Sequence, residues 1–497
     1  MNEISRDELF EGLLGYGLFA EKLPPIFTSK SFYDYCKKVI ASGNSLPTDG
    51  GHSDYIRYDS MRNVCVPRAL AIPNPISYAR FCKNLSDNWS NLQGYFKTIT
   101  SNQPYKVSRI HIRKMQNSSA LFEMNYKNQT YDGDERDDII GCSKYRVVAD
   151  ISSCFPSIYT HTIPWAIKGK NASKASGNHW SDEIDTFCRE TKYNETSGIL
   201  IGPHASNIIS EIILCKIDEA LVSEGFTHYS RNIDDYSCYV SSMEEAERFL
   251  LCLNKYLKEY ELSINHKKTR IIQLPETAES DWKYKLNSFY FGAEYTDSNQ
   301  QIIRLKMLRL YIDLALSLTI ENNDAAPLSY AIKVLSSKYL GVQAVQYYVK
   351  RLIHIVFSFP YLAPLLDKFV FEPFSVDKAI IREYINIMYK YGQMHNVYEA
   401  SSYALFWAIK YNIAFDSAPA DDVIKSKDCI FMLMSYLYAK KNKLGKDVLL
   451  VYKNKAITIR DTEFNRYWLF VYVVLPKDDL TGQWKCLKNN GVSFISI

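Results

Sequence analysis

No two of the 11 cysteines in this 497-residue chain stand as a Cys-x-x-Cys pair. They are scattered from Cys36 to Cys486 without zinc-site or redox-motif spacing, and they read as reduced core thiols. The N-terminus, MNEISRDELFEGLLGYGLF, lacks a basic start followed by an apolar run, so no secretory signal is expected. The most apolar late stretch, residues 468–475, is too short to span a bilayer. An excess of either charge is also missing: Lys+Arg 59 against Asp+Glu 55 leaves +4. Bulk charge that small does not hold a nucleic acid, so any such partner requires a local basic surface. These absences point to a cytoplasmic chain without a membrane partner.

Hydrophobic residues make up 47% and charged residues 23%, a globular balance. At roughly 150 residues per domain, the length suggests about three units. Residues 1–142 mix signals. A helix should end before Pro24–Pro25. Residues 45–53 read as a polar, Gly-rich loop, 73–96 as helix (Ile76, Ala79, Phe81, Leu85, Trp89, Leu92), and 110–124 as extended chain. The acidic run at 130–140 lacks EF-hand spacing and reads as a solvated connector. Residues 143–298 alternate: a strand at 145–151, a helix at 199–219, a hairpin at 229–240, a helix at 243–260 and a strand at 289–295. That order is close to the ferredoxin-like split βαβ motif. Residues 299–497 read as helices at 303–319, 328–339, 344–357, 376–391, 399–411, 420–441 and 461–474. The fold class expected is therefore α+β followed by an all-α half. The lysine run KKNKLGK at 440–446 reads as solvated surface.

Three carboxylates stand out. Asp150 closes a buried strand, and Asp234 and Asp235 sit side by side at the hairpin tip. Adjacent aspartates at a turn point in different directions, so one can aim at a site shared with Asp150. A lone Asp-Asp in a turn is most often simply solvated. Converging at strand ends, however, such carboxylates supply the hard oxygen ligands that two Mg²⁺ ions need. Ions about 3.5–4 Å apart can activate an attacking oxygen and stabilise a pyrophosphate leaving group.

The surrounding residues resemble the palm of reverse transcriptases, motif by motif. VADISSCF (148–155) looks like the first aspartate motif, and GILIGPHASN (198–207) is similar to the small-residue motif of the nucleotide pocket. RNIDD (231–235) resembles Y-x-D-D, LSINHKKT (262–269) matches L-x-x-N-x-x-K-T, and FYFG (289–292) resembles the last palm element. The resemblance implies a fingers and palm fold binding dNTPs. Asp150, Asp234 and Asp235 would hold two Mg²⁺ ions, with Mn²⁺ as a substitute. Phe155 would exclude a 2′-OH by steric clash, although a phenylalanine after a strand is also an ordinary core residue. Lys268 would neutralise charge on the pyrophosphate or donate a proton, although a solvated lysine in a basic turn fits as well. Gly202 and Pro203 would shape the pocket floor. A triphosphate clamp would come from among Arg57, Arg62, Arg68, Arg80, Arg109, Arg113 and Lys114, whose arginine forks suit phosphate. Arg109 and Arg113 share a face of the extended stretch. One departure stands out: Asn232 occupies the usual tyrosine position before x-D-D, which puts ordinary duplex extension in doubt.

The segment YTHTIPWAIKGKNASK (159–174), directly after DISSCFPSI, looks like the bacterial abortive-infection reverse transcriptases, the AbiK-like phage-defence group, in a prophage-type member. That resemblance implies a palm without a thumb and a HEAT-like C-terminal domain. It also implies a homo-oligomer, trimer or hexamer, and template-independent synthesis primed by a protein tyrosine. The single-stranded DNA product would stay covalently attached. With 38 tyrosines present, the N-terminal candidates for priming are Tyr16, Tyr33, Tyr35, Tyr55 and Tyr58. Two alternatives stand beside this expectation: a conventional templated RNA-directed DNA polymerase, and a catalytically silent scaffold.

Overall fold

The computed structural model describes residues 4–48, 50–62, 66–108, 136–174, 179–277, 280–292, 294–295, 300–414 and 416–496. The extended stretch expected at 110–124 lies outside them, with Arg109, Arg113 and Lys114. Of the acidic 130–140 segment, Arg136–Ile140 forms a short helix.

Two strands, β1 (Tyr55–Ser60) and β2 (Arg68–Pro73), form an antiparallel hairpin. A four-stranded sheet follows, from β3 (Tyr145–Asp150), β4 (Tyr229–Asn232), β5 (Asp235–Val240) and β6 (Arg270–Gln273). Its order is β4-β5-β3-β6, and every neighbouring pair is antiparallel. Since β3 and β4 both run against β5, they are parallel to each other with β5 between them. This is the split βαβ arrangement expected from the element order.

The two crossover helices differ in burial for a readable reason. In Met243–Glu259 the buried residues Ala246, Phe249, Leu253 and Leu257 recur at helical spacing, one face against β3 and β5. Each large side chain there contributes about 1.5–3 kcal/mol by leaving water. Ser242 caps its start by accepting from the Glu245 amide, with Glu244 and Glu245 in the first turn. Ala205–Ser223, by contrast, is buried nearly all round, packed by the Met243–Glu259, Trp89–Ile99 and Thr162–Lys168 helices. Its Asp218 is thereby taken out of water and its Glu211 nearly so.

Several expected elements change at identifiable residues. The helix at 73–96 is two, Pro75–Asp87 and Trp89–Ile99, because Asn88 leaves helical geometry and donates its side-chain amide to the Asn84 carbonyl. The helix expected from 199 begins only at Ala205, since Gly202 stands at φ +125° and Pro203 follows. Among the described residues of 289–295 no strand forms beyond an isolated bridge of Tyr295 to Gln301: Phe289 and Phe291 turn their rings onto Tyr311 at 5.1 and 4.8 Å, and Gly292 bends at φ +95°. The helix at 420–441 divides into Pro419–Lys425 and Cys429–Lys441, because the Asp428 carboxylate accepts from the Phe431 amide and starts a new helix. A helix at Lys446–Thr462 has no counterpart in the sequence reading, and the one expected at 461–474 shortens to Trp468–Val474.

The helical half is not an appendage. It closes onto the N-terminal segment and the β1–β2 hairpin. Phe494 packs against Phe19, Phe32, Trp468 and Tyr472. Arg466 pairs with Asp54 at 2.5 Å, and Tyr403 donates to the Lys22 carbonyl. At the centre of this contact Glu399 is 2% exposed, accepting from the Ser60 hydroxyl at 3.1 Å and from the Met61 amide. Among the described residues no helix is long and apolar enough to cross a membrane.

Burial lifts the Glu399 carboxyl to about 7, against the pull of its donors. A raised carboxyl value means the folded chain holds a proton that the unfolded chain has lost, so stability falls as pH rises from about 4.5 to 7, by about 3 kcal/mol in all. Urea unfolding across that range should show the decline in the natural chain and a flatter profile in Glu399→Gln. Equal slopes in the two would place the effect elsewhere.

Candidate active site

The register of β3 against β5 sets Asp150 directly opposite Asp235. Beyond β3 the chain stays fastened on both sides: the Ile151 amide donates to the Asp234 carbonyl at 3.2 Å, and the Ser152 amide to the Ser263 carbonyl at 2.8 Å. Asn232 pairs with Asp235, leaving Ile233 and Asp234 as a two-residue turn. Ile233 stands at φ +55°, a left-handed conformation that β-branched residues rarely adopt. Asp234 thus sits at the tip and Asp235 begins β5.

The three carboxylates crowd one another. Asp150 is 6% exposed. Burial, then the neighbouring Asp150 carboxylate, raises Asp234 above its ordinary value. Burial, a hydrogen bond with Asp150 and the charge of Asp234 push Asp235 up to about 6. Two donors from one loop hold Asp150: Asn265 Nδ2 at 3.0 Å on Oδ1 and Lys268 Nζ at 2.7 Å on Oδ2. The Asn265 amide also donates to the Asp150 carbonyl at 2.7 Å, and its Oδ1 accepts from Lys267. The hydrogen bond to Asp150 raises Lys268. The sequence reading named Lys268 but passed over Asn265, although the same motif carries it.

Among the described residues no three His, Cys, Asp or Glu side chains already stand grouped as a metal-holding cluster. The donor set nevertheless suits a hard divalent cation: carboxylate oxygens pressed together until one titrates near 6 are relieved by positive charge, and the Lys268 ammonium supplies it here.

The residues expected to line a nucleotide pocket fall on the Cys154–Ser157 turn and the 198–204 loop. Cys154 feels the charges of Asp234 and Asp150, which places the Cys154–Ser157 turn beside them. Phe155 is half-buried on that turn, and its carbonyl accepts from the Ile199 amide at 2.9 Å. Gly202 lies where the 198–204 loop meets β2, next to the Ala71 amide's bond to the Ile201 carbonyl. A Cβ on Gly202 would come within 3.2 Å of both the Ala71 carbonyl and the Ala20 side chain, so close approach as well as φ favours glycine there. Pro203 is buried.

Of the clamp candidates, Arg68 is exposed at the start of β2 and its charge acts on Asp234. Arg80 is engaged instead with Glu190 at 2.9 Å and with the Phe187 ring. Arg109 and Arg113 lie outside the described residues.

The five tyrosines separate by burial. Tyr33 and Tyr58 are core residues, 3% and 1% exposed. Burial pushes Tyr33 up to about 12 and Tyr58 well above the ordinary phenol range. Tyr35 is also raised by burial to about 12 and its hydroxyl meets Cys486 Sγ at 3.5 Å. Phenols this costly to ionise are poor nucleophiles where they stand. Tyr16 and Tyr55 are half-buried.

A sequence model of the family "Reverse transcriptase (RNA-dependent DNA polymerase)" matches residues 94–344. No curated protein matches the chain. Solved structures that the chain matches include two of apo telomerase from Candida tropicalis. One matches at 12% identity over 92% of this chain and 77% of its own, with a TM-score of 0.34. The other is truncated of its C-terminal domain, at 13% identity over 50% and 57%, with a TM-score of 0.30. The telomerase of the same organism in complex with a fragment of telomeric RNA matches at 12% identity over 90% and 68%, with a TM-score of 0.31. The chain thus spans little more than half the length of the truncated telomerase.

If Lys268 occupies the place of a divalent cation, Lys268→Ala leaves Asp150 without its ammonium partner. The variant should melt somewhat lower than the natural chain in chelator and gain more from added Mg²⁺. Equal Mg²⁺-induced shifts in melting temperature would show that the ammonium does not compete with the ion.

Proposed function

Since the chain belongs to the reverse transcriptase family, we propose that it is a DNA nucleotidyltransferase whose strand begins on a protein tyrosine and grows without a template, in anti-phage abortive infection. The convergence of Asp150, Asp234 and Asp235 at one end of the four-stranded sheet is the observation that carries the nucleotidyl-transfer part. The untemplated, protein-primed part is supported by the resemblance of residues 159–174 and the helical C-terminal half, and Asn232 in the usual tyrosine position is compatible with it. On this reading residues 1–142 include the fingers, 143–298 are the palm and 299–497 a HEAT-like domain, assembled as a homo-oligomer in a bacterial cytoplasm.

Each turnover forms a bond between an attacking hydroxyl oxygen and the α-phosphorus of a dNTP. The bond from that phosphorus to the oxygen bridging it to the β-phosphorus breaks, pyrophosphate leaves, and the hydroxyl proton passes to solvent. Asp150, Asp234 and Asp235 would hold two Mg²⁺ ions, which supply positive charge to the attacking oxygen and the pyrophosphate. Arg68 receives the triphosphate through charge and its bidentate fork. Phe155, propped by the Ile199 amide, presents its ring to the sugar and rejects a 2′-OH. Lys268, released from Asp150, is left to balance charge on the departing pyrophosphate.

The templated reading is favoured by one observation, the RNA-dependent polymerase family that residues 94–344 match. The silent scaffold is opposed by the intact carboxylates.

Purified protein with Mg²⁺ and labelled dNTPs, without template or primer, should yield label that migrates with protein, becomes free DNA after protease, and is lost in Asp234→Asn. Label appearing only on an added primed template would establish the templated enzyme instead. Phe155→Val should raise ribonucleotide incorporation relative to dNTPs by roughly 10- to 200-fold, the discrimination a shape contact of this size provides. An unchanged ratio would return Phe155 to the core.

A further inference from the structure

Arg231 precedes the catalytic turn by two residues and is 0% exposed. Taking a guanidinium out of water costs several kcal/mol unless its donors are satisfied. Here they are satisfied in three directions. Nε and Nη2 donate to Asp218 Oδ2 at 2.9 and 2.7 Å. Nη1 and Nη2 donate to Glu211 at 3.1 and 3.3 Å. Nη1 also donates to the Ile233 carbonyl at 2.8 Å. Glu211 and Asp218 are seven residues apart on the buried Ala205–Ser223 helix, two turns along one face. Glu211 also accepts from Cys215 Sγ at 3.1 Å, and a hydrogen bond from Ser108 helps hold its charge.

The third acceptor is the informative one. Ile233 is β-branched and sits at φ +55°. Such a conformation costs about 1–3 kcal/mol and persists only where the surroundings impose it. The next residue is Asp234, whose carbonyl is fastened to the Ile151 amide. The turn is therefore gripped at Ile233 by Arg231 and at Asp234 by the end of β3.

We infer that Arg231 is a positioning residue for the candidate active site: it ties the strained Ile233 turn to the buried Ala205–Ser223 helix and so aims the Asp234 carboxylate toward Asp150. This rests on the nucleotidyl-transfer reading of those carboxylates. Arg231 touches neither substrate nor reacting atoms. A fork is needed because its donors reach Asp218, Glu211 and the Ile233 carbonyl at once, which a lysine ammonium does not reproduce.

The test is Mn²⁺ binding, measured by calorimetry with a dNTP present, on the natural chain, Arg231→Lys, and Arg231→Lys combined with Ile233→Gly, each checked by circular dichroism. Arg231→Lys should bind Mn²⁺ about 10- to 100-fold more weakly, the usual effect of losing a group that orients a metal ligand. Its dNTP incorporation should fall through kcat with little change in KM. Glycine adopts φ +55° without steric cost, so the double variant should regain most of the Mn²⁺ affinity; a purely structural role for Arg231 gives no such rescue. Should Arg231→Lys fail to fold, Arg231→Met with Glu211→Gln and Asp218→Asn removes every buried charge of the cluster together and should show the same weak Mn²⁺ binding. A folded variant that binds Mn²⁺ like the natural chain, or a glycine that restores nothing, overturns the inference. Absence of dNTP incorporation by the natural chain would instead overturn the polymerase reading, and the Mn²⁺ comparison would still decide the role of Arg231.

Discussion

Asp150 and Asp235 meet because β3 and β5 pair in one register, and everything at the site depends on that pairing. A strand shifted by one residue turns every side chain to the opposite face. Here a shift would carry Val147, Ala149, Tyr236 and Cys238, all buried, out of the core. The apolar pattern thus fixes the register, and the register brings acidic groups together that would otherwise repel. The two-residue turn then adds Asp234 to the pair.

The crowding has a visible electrostatic cost. Asp234 and Asp235 both hold their protons more tightly than free carboxyls, while Asn265 and Lys268 attend Asp150. A fold optimised for stability alone would separate these acids. This one retains them on a rigid sheet end, backed by a helix buried on nearly every side and linked to the turn through Arg231. The helical half reinforces the same frame from a distance, since Glu399 and Arg466 fasten it to the β1–β2 hairpin that carries Arg68.

Much of this was legible from residues alone. The β3 strand, the hairpin with its acidic tip and the Met243–Glu259 helix follow from alternation and helical spacing, which are local signals. Asp150, Asp234, Asp235 and Lys268 emerged from motifs with fixed spacing. What escaped depends on tertiary partners. Asn88 and Asp428 divide helices because side-chain hydrogen bonds outcompete a continuous apolar stripe. The 289–295 strand is lost to aromatic packing on Tyr311. Arg231 stood only as the first residue of the RNIDD motif, and only its burial against Glu211 and Asp218 reveals its place. Tyr33 and Tyr58 looked as available as any tyrosine until packing put them in the core.

The most direct test of the central claim, that these carboxylates form a two-cation centre for nucleotidyl transfer, is a crystal structure with Mn²⁺ and a dNTP bound, using anomalous scattering to locate the ions. The account predicts anomalous density between Asp150 and Asp234, with Lys268 withdrawn from Asp150 and the triphosphate beside Arg68. A dNTP bound elsewhere, or Lys268 still on Asp150 with no ion between the aspartates, would contradict it.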